Sequence, residues 1–201
     1  MTKNNLSHLA LILDGNKRWA KKNNLPNFQA YKKGFDNIST IVDYSLKINI
    51  QDLTLFTLSS ENFNRPSINI IYDIIYNNFS ELLDKLIKNN NIKINIFGSE
   101  KNLPEKIIKI FKEAEQVTNK NTSLNLNLAF NYGFKDEISE AFKKYKLNYD
   151  KIDLDNNEHI RKLFYSNLSS DPELLIRTGG YQRLSNFIMY NLTYTELFFS
   201  S

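Results

Sequence analysis

Asp14-Gly15-Asn16-Lys17-Arg18 is the first place in this chain where side chains could do chemistry. The aspartate offers a carboxylate to a divalent cation such as Mg²⁺, which needs few protein oxygens when phosphate and water complete its shell. The glycine lets backbone N–H groups approach an anion, and the adjoining cations suit a phosphorylated ligand. The same residues also read as a plain polar turn, with Asp14 as N-cap of a helix beginning near Lys17. Further along, Ser59-Ser60-Glu61-Asn62 groups two hydroxyls, a carboxylate and an amide, or else forms a capping loop before a helix. Arg177-Thr178-Gly179-Gly180 and Arg183-Leu184-Ser185 present two guanidinium groups beside a flexible backbone. Such groups suit diphosphate because each planar fork engages two oxygens at once. Glu196 sits in an otherwise apolar stretch, where a carboxylate is costly unless paired or metal-bound. It is a candidate second metal contact to Asp14, or an outward-facing edge residue.

These groups need a frame that gathers them, and the hydrophobic patterning supplies one. Residues 9–13 form an apolar run without alternation, as in a strand buried on both faces. Further strands are predicted over 52–58, 92–97, 123–130, 174–177 and 194–199. Between them lie helical patterns from Lys17 onward and over 30–47, 68–88, 103–118, 134–145 and 156–165. In the second of these, Tyr31, Phe35, Ile38, Ile41, Val42 and Leu46 recur at helical spacing. Alternating strands and helices predict an α/β fold, a mostly parallel six-stranded sheet flanked by helices. In such a sheet the carboxyl ends of the strands share one rim. Asp14, residues 59–65, Asn131 and residues 177–180 then converge there.

Composition narrows the class. A chain of 201 residues, 41% hydrophobic and 24% charged, suits one soluble globular domain over 1–201. It has no cysteine, which excludes disulfides and thiolate chemistry. No Walker A sequence, G-x-G-x-x-G or H-E-x-x-H occurs, and His8 and His159 are too isolated for a zinc site or a histidine triad. A net charge of +4 permits an anionic ligand or an acidic membrane surface, while the dispersed Lys and Arg give no nucleic-acid stripe. No apolar run approaches the roughly 20 residues that span a bilayer, and the first residues lack the apolar region of a signal peptide. The expectation is a cytoplasmic protein.

Taken together, Asp14-Gly15-Asn16-x-Arg18-Trp19, Ser59-Ser60-Glu61-Asn62-Phe63-x-Arg65-Pro66, Asn131-Tyr132-Gly133, Arg177-Thr178-Gly179-Gly180 and Arg183-x-Ser185-Asn186-Phe187 resemble the cis-prenyltransferases, the bacterial undecaprenyl diphosphate synthases in particular. The resemblance runs over essentially the whole chain, in the same order and with similar spacings. It implies a Mg²⁺-dependent polyprenyl diphosphate synthase that adds isopentenyl diphosphate units in cis to an allylic diphosphate such as farnesyl diphosphate. The product would be a lipid-carrier precursor for cell-wall glycans, grown in an apolar tunnel between sheet and helices by a homodimer and delivered to the inner membrane, with the enzyme cytoplasmic or peripheral to that membrane. By resemblance, Asp14 is the catalytic Mg²⁺-binding aspartate, Glu196 the second metal contact and Asn62 a catalytic residue that helps remove a proton. Gly15, Asn16, Arg18 and Trp19 match the allylic-diphosphate site, with Lys17 among them at a position that varies in the family. Ser59, Ser60, Glu61, Phe63 and Arg65 match substrate contacts, Phe63 replacing the more usual Trp. Arg177, Arg183 and Ser185 match the isopentenyl diphosphate clamp, with Leu184 counted among the substrate contacts. Thr57 and Leu124 fall where the family lines its tunnel.

The pattern also has departures. Asn27 and Tyr31 stand where many members carry an Arg and a His, and Gln182 where some carry a His near the metal. The sequence ends at Phe198-Phe199-Ser200-Ser201, where members usually continue with a Trp-Pro segment, a helix and a basic tail. A domain apparently lacking that extension is the expectation, with consequences for activity and dimer stability. Two other functions compete: a non-catalytic binding subunit of a prenyltransferase complex, and a phosphate-binding α/β domain with another substrate.

Overall fold

The computed structural model describes residues 6–62, 68–77 and 91–201. Its elements run β1 (His8–Ile12), α1 (Asn16–Lys22), α2 (Asn27–Lys47) and β2 (Asp52–Ser59). Residues 68–77 are helical (α3). There follow β3 (Ile92–Phe97), α4 (Glu105–Thr118), β4 (Leu124–Tyr132), α5 (Phe134–Leu147), α6 (Asn157–Arg161), β5 (Leu174–Arg177) and β6 (Glu196–Phe199). The six strands form one sheet in the order β3-β4-β2-β1-β5-β6. Every strand pair is parallel, not merely most of them.

Alternate side chains divide between the two faces of the sheet. Leu9, Leu11, Leu53, Leu55, Leu126 and Leu128 face a core shared with Ile38 and Val42 of α2 and Phe111 of α4. Ala10, Ile12, Phe56 and Ala129 belong to a second cluster closed by Tyr132, Phe187 and Ile188. All five residues of β1 are buried, as its unbroken apolar run requires. The register aligns Phe97, Ala129, Phe56, Ile12, Arg177 and Phe199 in one row across the sheet. Just beyond that row begins the rim.

Several boundaries differ from the sequence reading. α2 starts at Asn27 rather than residue 30, because Pro26 in extended conformation serves as its N-cap. β4 continues to Tyr132, which pairs with Ser59 across an irregularity in the ladder at residues 56–59. At that irregularity the Thr57 hydroxyl donates to the Ala129 carbonyl at 2.8 Å, a local break of the kind common beside active sites. The helix expected over 156–165 spans only Asn157–Arg161, and β6 begins at Glu196 rather than residue 194. Of the helix expected over 68–88, residues 78–88 lie outside the described residues.

The second cluster anchors the loop that carries Arg183. Phe187 is fully buried and stacks on Phe56, with centroids 4.6 Å apart. Tyr132 meets both rings edge-on. The Tyr132 hydroxyl donates to Glu137 at 2.5 Å, and the Ser166 N–H donates to the other Glu137 oxygen at 2.8 Å. Burial pushes the Glu137 carboxyl above its usual range, against these two hydrogen bonds, which pull it down. The folded state therefore holds this proton more tightly than the unfolded chain. Stability contributed below the unfolded value is lost as pH rises through the folded one. Glu137→Gln, whose oxygen still accepts from the Ser166 N–H while its NH2 donates to the Tyr132 hydroxyl, is expected to flatten that part of the stability-against-pH curve. Glu137→Ala strands two buried partners and is expected to cost about 2–4 kcal/mol, most at the acid end. Urea melts of the three proteins between weakly acidic and neutral pH check both outcomes.

Candidate active site

β1 leads into a turn in which the Asp14 N–H bonds back to the Ile12 carbonyl at 3.0 Å. Gly15 follows at φ 106° and Gly179 at φ 85°, values that favour glycine. The two glycines are back to back: a Cβ on Gly15 would lie 3.1 Å from Gly179 Cα. This close approach joins the β1–α1 turn to the loop after β5. The Thr178 hydroxyl completes the joint by donating to the Asp14 carbonyl at 2.8 Å.

The joint brings Asp14 among cations. Its Oδ1 accepts from the Gly15 N–H at 2.6 Å and faces Arg18 Nη2 at 3.3 Å. Its Oδ2 accepts from Arg177 Nη2 at 2.8 Å. Partial burial alone would raise the Asp14 pKa. The Arg177 and Gly15 hydrogen bonds, with the charges of Arg177 and Arg18, outweigh burial and hold the carboxyl below its usual range. Arg177 is only 3% exposed. Its Nη1 donates to the Arg183 carbonyl and, at 2.7 Å, to the Ser185 hydroxyl. Its Nε has no hydrogen-bond partner among the described residues, which leaves a donor unspent. One buried guanidinium thus ties the metal-binding candidate to the loop of the expected isopentenyl diphosphate clamp.

Tyr181 was not singled out by the sequence, yet it stands at the centre of this cluster. The guanidinium carbons of Arg18 and Arg183 each lie 4.3 Å from its ring centroid, and that of Arg177 lies 5.7 Å away. An aromatic residue between two Arg-bearing segments is the only hint the sequence offers.

These residues line the mouth of a cavity of about 490 Å³, within the usual range for small-molecule sites. Asp14, Gly15, Asn16, Lys17, Arg18, Ser59, Asn62, Arg177, Arg183 and Ser185 all contribute to its wall. The remainder is apolar, with Phe35 and Ile38 of α2, Phe56 and Leu58 of β2, and Ile71, Ile74 and Ile75 of α3. Tyr31 and Thr57 also line it. Charged mouth and hydrocarbon body belong to one continuous space.

Other candidates fall elsewhere. Ser60 turns to Asp136 at 2.8 Å, and Glu61 accepts from the Asn186 side chain at 2.9 Å; both brace the rim rather than line the cavity. Trp19, 44% exposed on α1, and Leu184, packed on the second cluster, are not among the lining residues. Leu124 is buried in the first core at the amino end of β4, away from the cavity wall. Phe63 and Arg65 lie outside the described residues. His8, read as too isolated for a zinc site or a histidine triad, is buried between Thr54 (2.7 Å from Nε2) and the Ser170 carbonyl (3.0 Å from Nδ1). The Ser170 hydroxyl also lies 3.0 Å from Nδ1. Burial keeps this ring below the usual histidine pKa, against the pull of Asp52.

Glu196 requires a correction. The register places it beside Leu174, at the amino end of β6, whereas Asp14 follows the carboxyl end of β1. Within one chain the two lie at opposite ends of the sheet, with about 10 Å of strand and two interstrand spacings of about 4.8 Å between them. An outward-facing edge position is what the structure shows, since Glu196 is exposed. Among the described residues no group of three or more His, Asp or Glu side chains could hold a metal. Asp14 alone fits Mg²⁺ in the mode where phosphate oxygens and water supply the rest. An ionised carboxylate has about four acceptor sites, and the three contacts described leave one open.

Gly179→Ala is a sharp test of the joint. A Cβ there would come within 2.9 Å of the Asp14 backbone and 2.8 Å of Arg18 Nη2. The left-handed backbone adds about 1–3 kcal/mol of strain. The expected result is lower thermal stability together with at least about a tenfold loss in substrate binding, since Asp14 and Arg18 must shift. Calorimetric titration with pyrophosphate and a thermal melt read the two effects separately.

Comparison with known proteins bears on what this cavity takes. The prenyltransferase family model, described as undecaprenyl diphosphate synthase, matches residues 12–201. The isoprenyl transferase of Aquifex pyrophilus is 38% identical over 199 residues, covering 96% of this chain and 83% of that one. The tritrans,polycis-undecaprenyl-diphosphate synthase (geranylgeranyl-diphosphate specific) of Thermococcus kodakarensis is 36% identical over 200 residues, covering 96% and 75%. Among solved structures, lavandulyl diphosphate synthase from Lavandula x intermedia, in complex with dimethylallyl diphosphate, superposes with a TM-score of 0.89. It is 28% identical, with 96% of this chain and 86% of that one covered. A probable undecaprenyl diphosphate synthase from Campylobacter jejuni gives a TM-score of 0.74 at 28% identity, covering 98% and 86%.

Proposed function

This chain belongs to the undecaprenyl diphosphate synthase family of prenyltransferases, and from that premise we propose that it elongates an allylic diphosphate with isopentenyl diphosphate units in cis. The observation that carries the reading is the continuity of the cavity. A mouth with Asp14, Arg18, Arg177 and Arg183 opens directly into a body of Ile, Leu and Phe side chains. A prenyl diphosphate has that same polarity, a charged head on a hydrocarbon tail.

The chemistry breaks the allylic C–O bond, forms a C–C bond to the isopentenyl double bond and releases one proton and diphosphate. Charge accumulates on the departing diphosphate, and preorganised donors aimed at it lower the barrier most. We assign that role to Arg18 and the Asn16 N–H, since the Gly15 N–H is already given to Asp14. Arg183 and Ser185, held in place by Arg177, hold the second diphosphate. Asp14, together with diphosphate oxygens and water, would hold Mg²⁺, whose charge offsets that of the leaving group. Asn62 lines the cavity. Its amide is too weak a base to keep a proton, so its role is to hydrogen-bond the diphosphate oxygen that takes the proton. The apolar walls shield the cationic carbon from water.

The primer we propose is farnesyl diphosphate and the product a long-chain lipid-carrier precursor for cell-wall glycans, made at the cytoplasmic side of the membrane. No described helix is long and apolar enough to cross a bilayer. A homodimer is proposed as well; Leu197 and Phe198 are exposed on β6, an apolar sheet edge that pairing would cover. Incorporation of radiolabelled isopentenyl diphosphate, with Mg²⁺ and dimethylallyl, farnesyl or geranylgeranyl diphosphate as primer, tests the reading. Extraction of labelled polyprenyl product supports it. Folded protein that incorporates no label with any primer would contradict it and leave a binding subunit in its place.

A further inference from the structure

Arg18 and Arg183 come from distant parts of the chain, are both exposed and carry like charge. Left to themselves, such side chains repel and sample many rotamers, and a ligand that orders them bears that entropy. Here both converge on the Tyr181 ring at 4.3 Å, well inside the distance at which a guanidinium is attracted to an aromatic face. The contacts form a closed circuit. Arg18 faces Asp14 at 3.3 Å, Asp14 pairs with Arg177 at 2.8 Å, and Arg177 holds the Arg183 carbonyl. Arg183 and Arg18 then meet over Tyr181.

We infer that Tyr181 is a positioning residue, whose ring holds Arg18 and Arg183 together at the cavity mouth so that each diphosphate meets a guanidinium already in place. The choice of an aromatic group matters. A carboxylate at this point would also gather the arginines, but it would cancel charge that the diphosphates need. A neutral ring gathers them and leaves the positive charge intact. Within the circuit, three guanidinium groups face a single carboxylate, so the mouth stays cationic. Tyr181 is itself 45% exposed, so its removal leaves no buried gap and a purely structural role predicts almost no effect.

The inference rests on the proposed reading for the identity of the two diphosphates, and its test separates the two claims. Tyr181→Leu is expected to raise KM for the allylic primer and for isopentenyl diphosphate by roughly two- to fivefold each, the scale of one exposed cation–aromatic contact per substrate. The loss falls on KM rather than kcat, and the melting temperature stays put. Tyr181→Phe keeps the ring and restores both KM values to those of the parent. Titration calorimetry with inorganic pyrophosphate reads the same ranking without turnover, with Leu weaker than Phe and Phe equal to Tyr. Should the parent protein fail to turn over, the proposed function falls, and the pyrophosphate titration still decides the role of the ring. KM values and pyrophosphate affinity unchanged in Tyr181→Leu would overturn the inference. So would equal losses in the Phe and Leu variants, which would assign the effect to the hydroxyl.

Discussion

Asp14→Asn is expected to lower turnover by at least about 10²-fold, the scale set by removing a principal electrostatic stabiliser, while leaving the fold intact. The amide is isosteric and its oxygen still accepts from Gly15 and Arg18, while its NH2 replaces the acceptor of Arg177. The joint between the β1–α1 turn and the loop after β5 persists through the Gly15–Gly179 contact and the Thr178 hydroxyl. What it loses is the negative charge that pairs with Arg177 and Arg18 and that the proposed Mg²⁺ would need. Asp14→Ala is expected to lose as much turnover and also stability, since it strands Arg177, which is 3% exposed. That cost is set at about 1–3 kcal/mol, less than for a fully buried pair, because Asp14 is partly open to water. Single-turnover rates with saturating substrates, alongside thermal melts, distinguish the two variants. Turnover of Asp14→Asn within a few-fold of the parent would remove Asp14 from the chemistry.

Arg177 is the second place where a large effect is expected. Its guanidinium holds Asp14, the Arg183 carbonyl and the Ser185 hydroxyl at once. Lysine keeps the charge but cannot span those partners, because an ammonium is a compact point and the fork is planar. Arg177→Lys is expected to lose about 10²- to 10³-fold in kcat/KM for isopentenyl diphosphate, chiefly because the 183–185 loop is released. Arg177→Ala leaves a carboxylate, a carbonyl and a hydroxyl without their donor. It is expected to cost about 3–5 kcal/mol of stability and to abolish turnover. Urea melts and steady-state rates check both. A folded Arg177→Ala protein active to within tenfold would show that the loop is positioned by something else.

Much of this site was legible in the sequence, for a reason that lies in the topology. Apolar runs of strand length alternating with amphipathic helices require parallel strands, and parallel strands put their carboxyl ends on one rim. Asp14, Asn62 and Arg177 could therefore be assigned to one edge before any contact was known. The motifs of the family then attached Arg18, Arg183 and Ser185 to it. Glu196 shows where this logic fails. A carboxylate in an apolar strand signals an unusual position but not which end of the strand it occupies. Here the ladder starts at Glu196, so the residue falls at the wrong end. Ser60 and Glu61 fail for a different reason. A polar side chain on the rim can turn to the cavity or to its neighbours, and Asp136 and Asn186 claim these two. Tyr181 was missed because an aromatic residue in a loop carries no charge or motif of its own. Its meaning lies in the three guanidinium groups around it.

The central claim is that one cavity takes the charged head of a prenyl diphosphate at the rim and its hydrocarbon tail between sheet and helices. A crystal structure with a non-cleavable thio analogue of farnesyl diphosphate tests it most directly. The account predicts diphosphate oxygens within hydrogen-bond distance of Arg18 and the Asn16 N–H, with the tail against Ile38, Phe56 and Leu58. A tail lying outside that cavity, or a diphosphate bound away from Asp14 and Arg18, would contradict it.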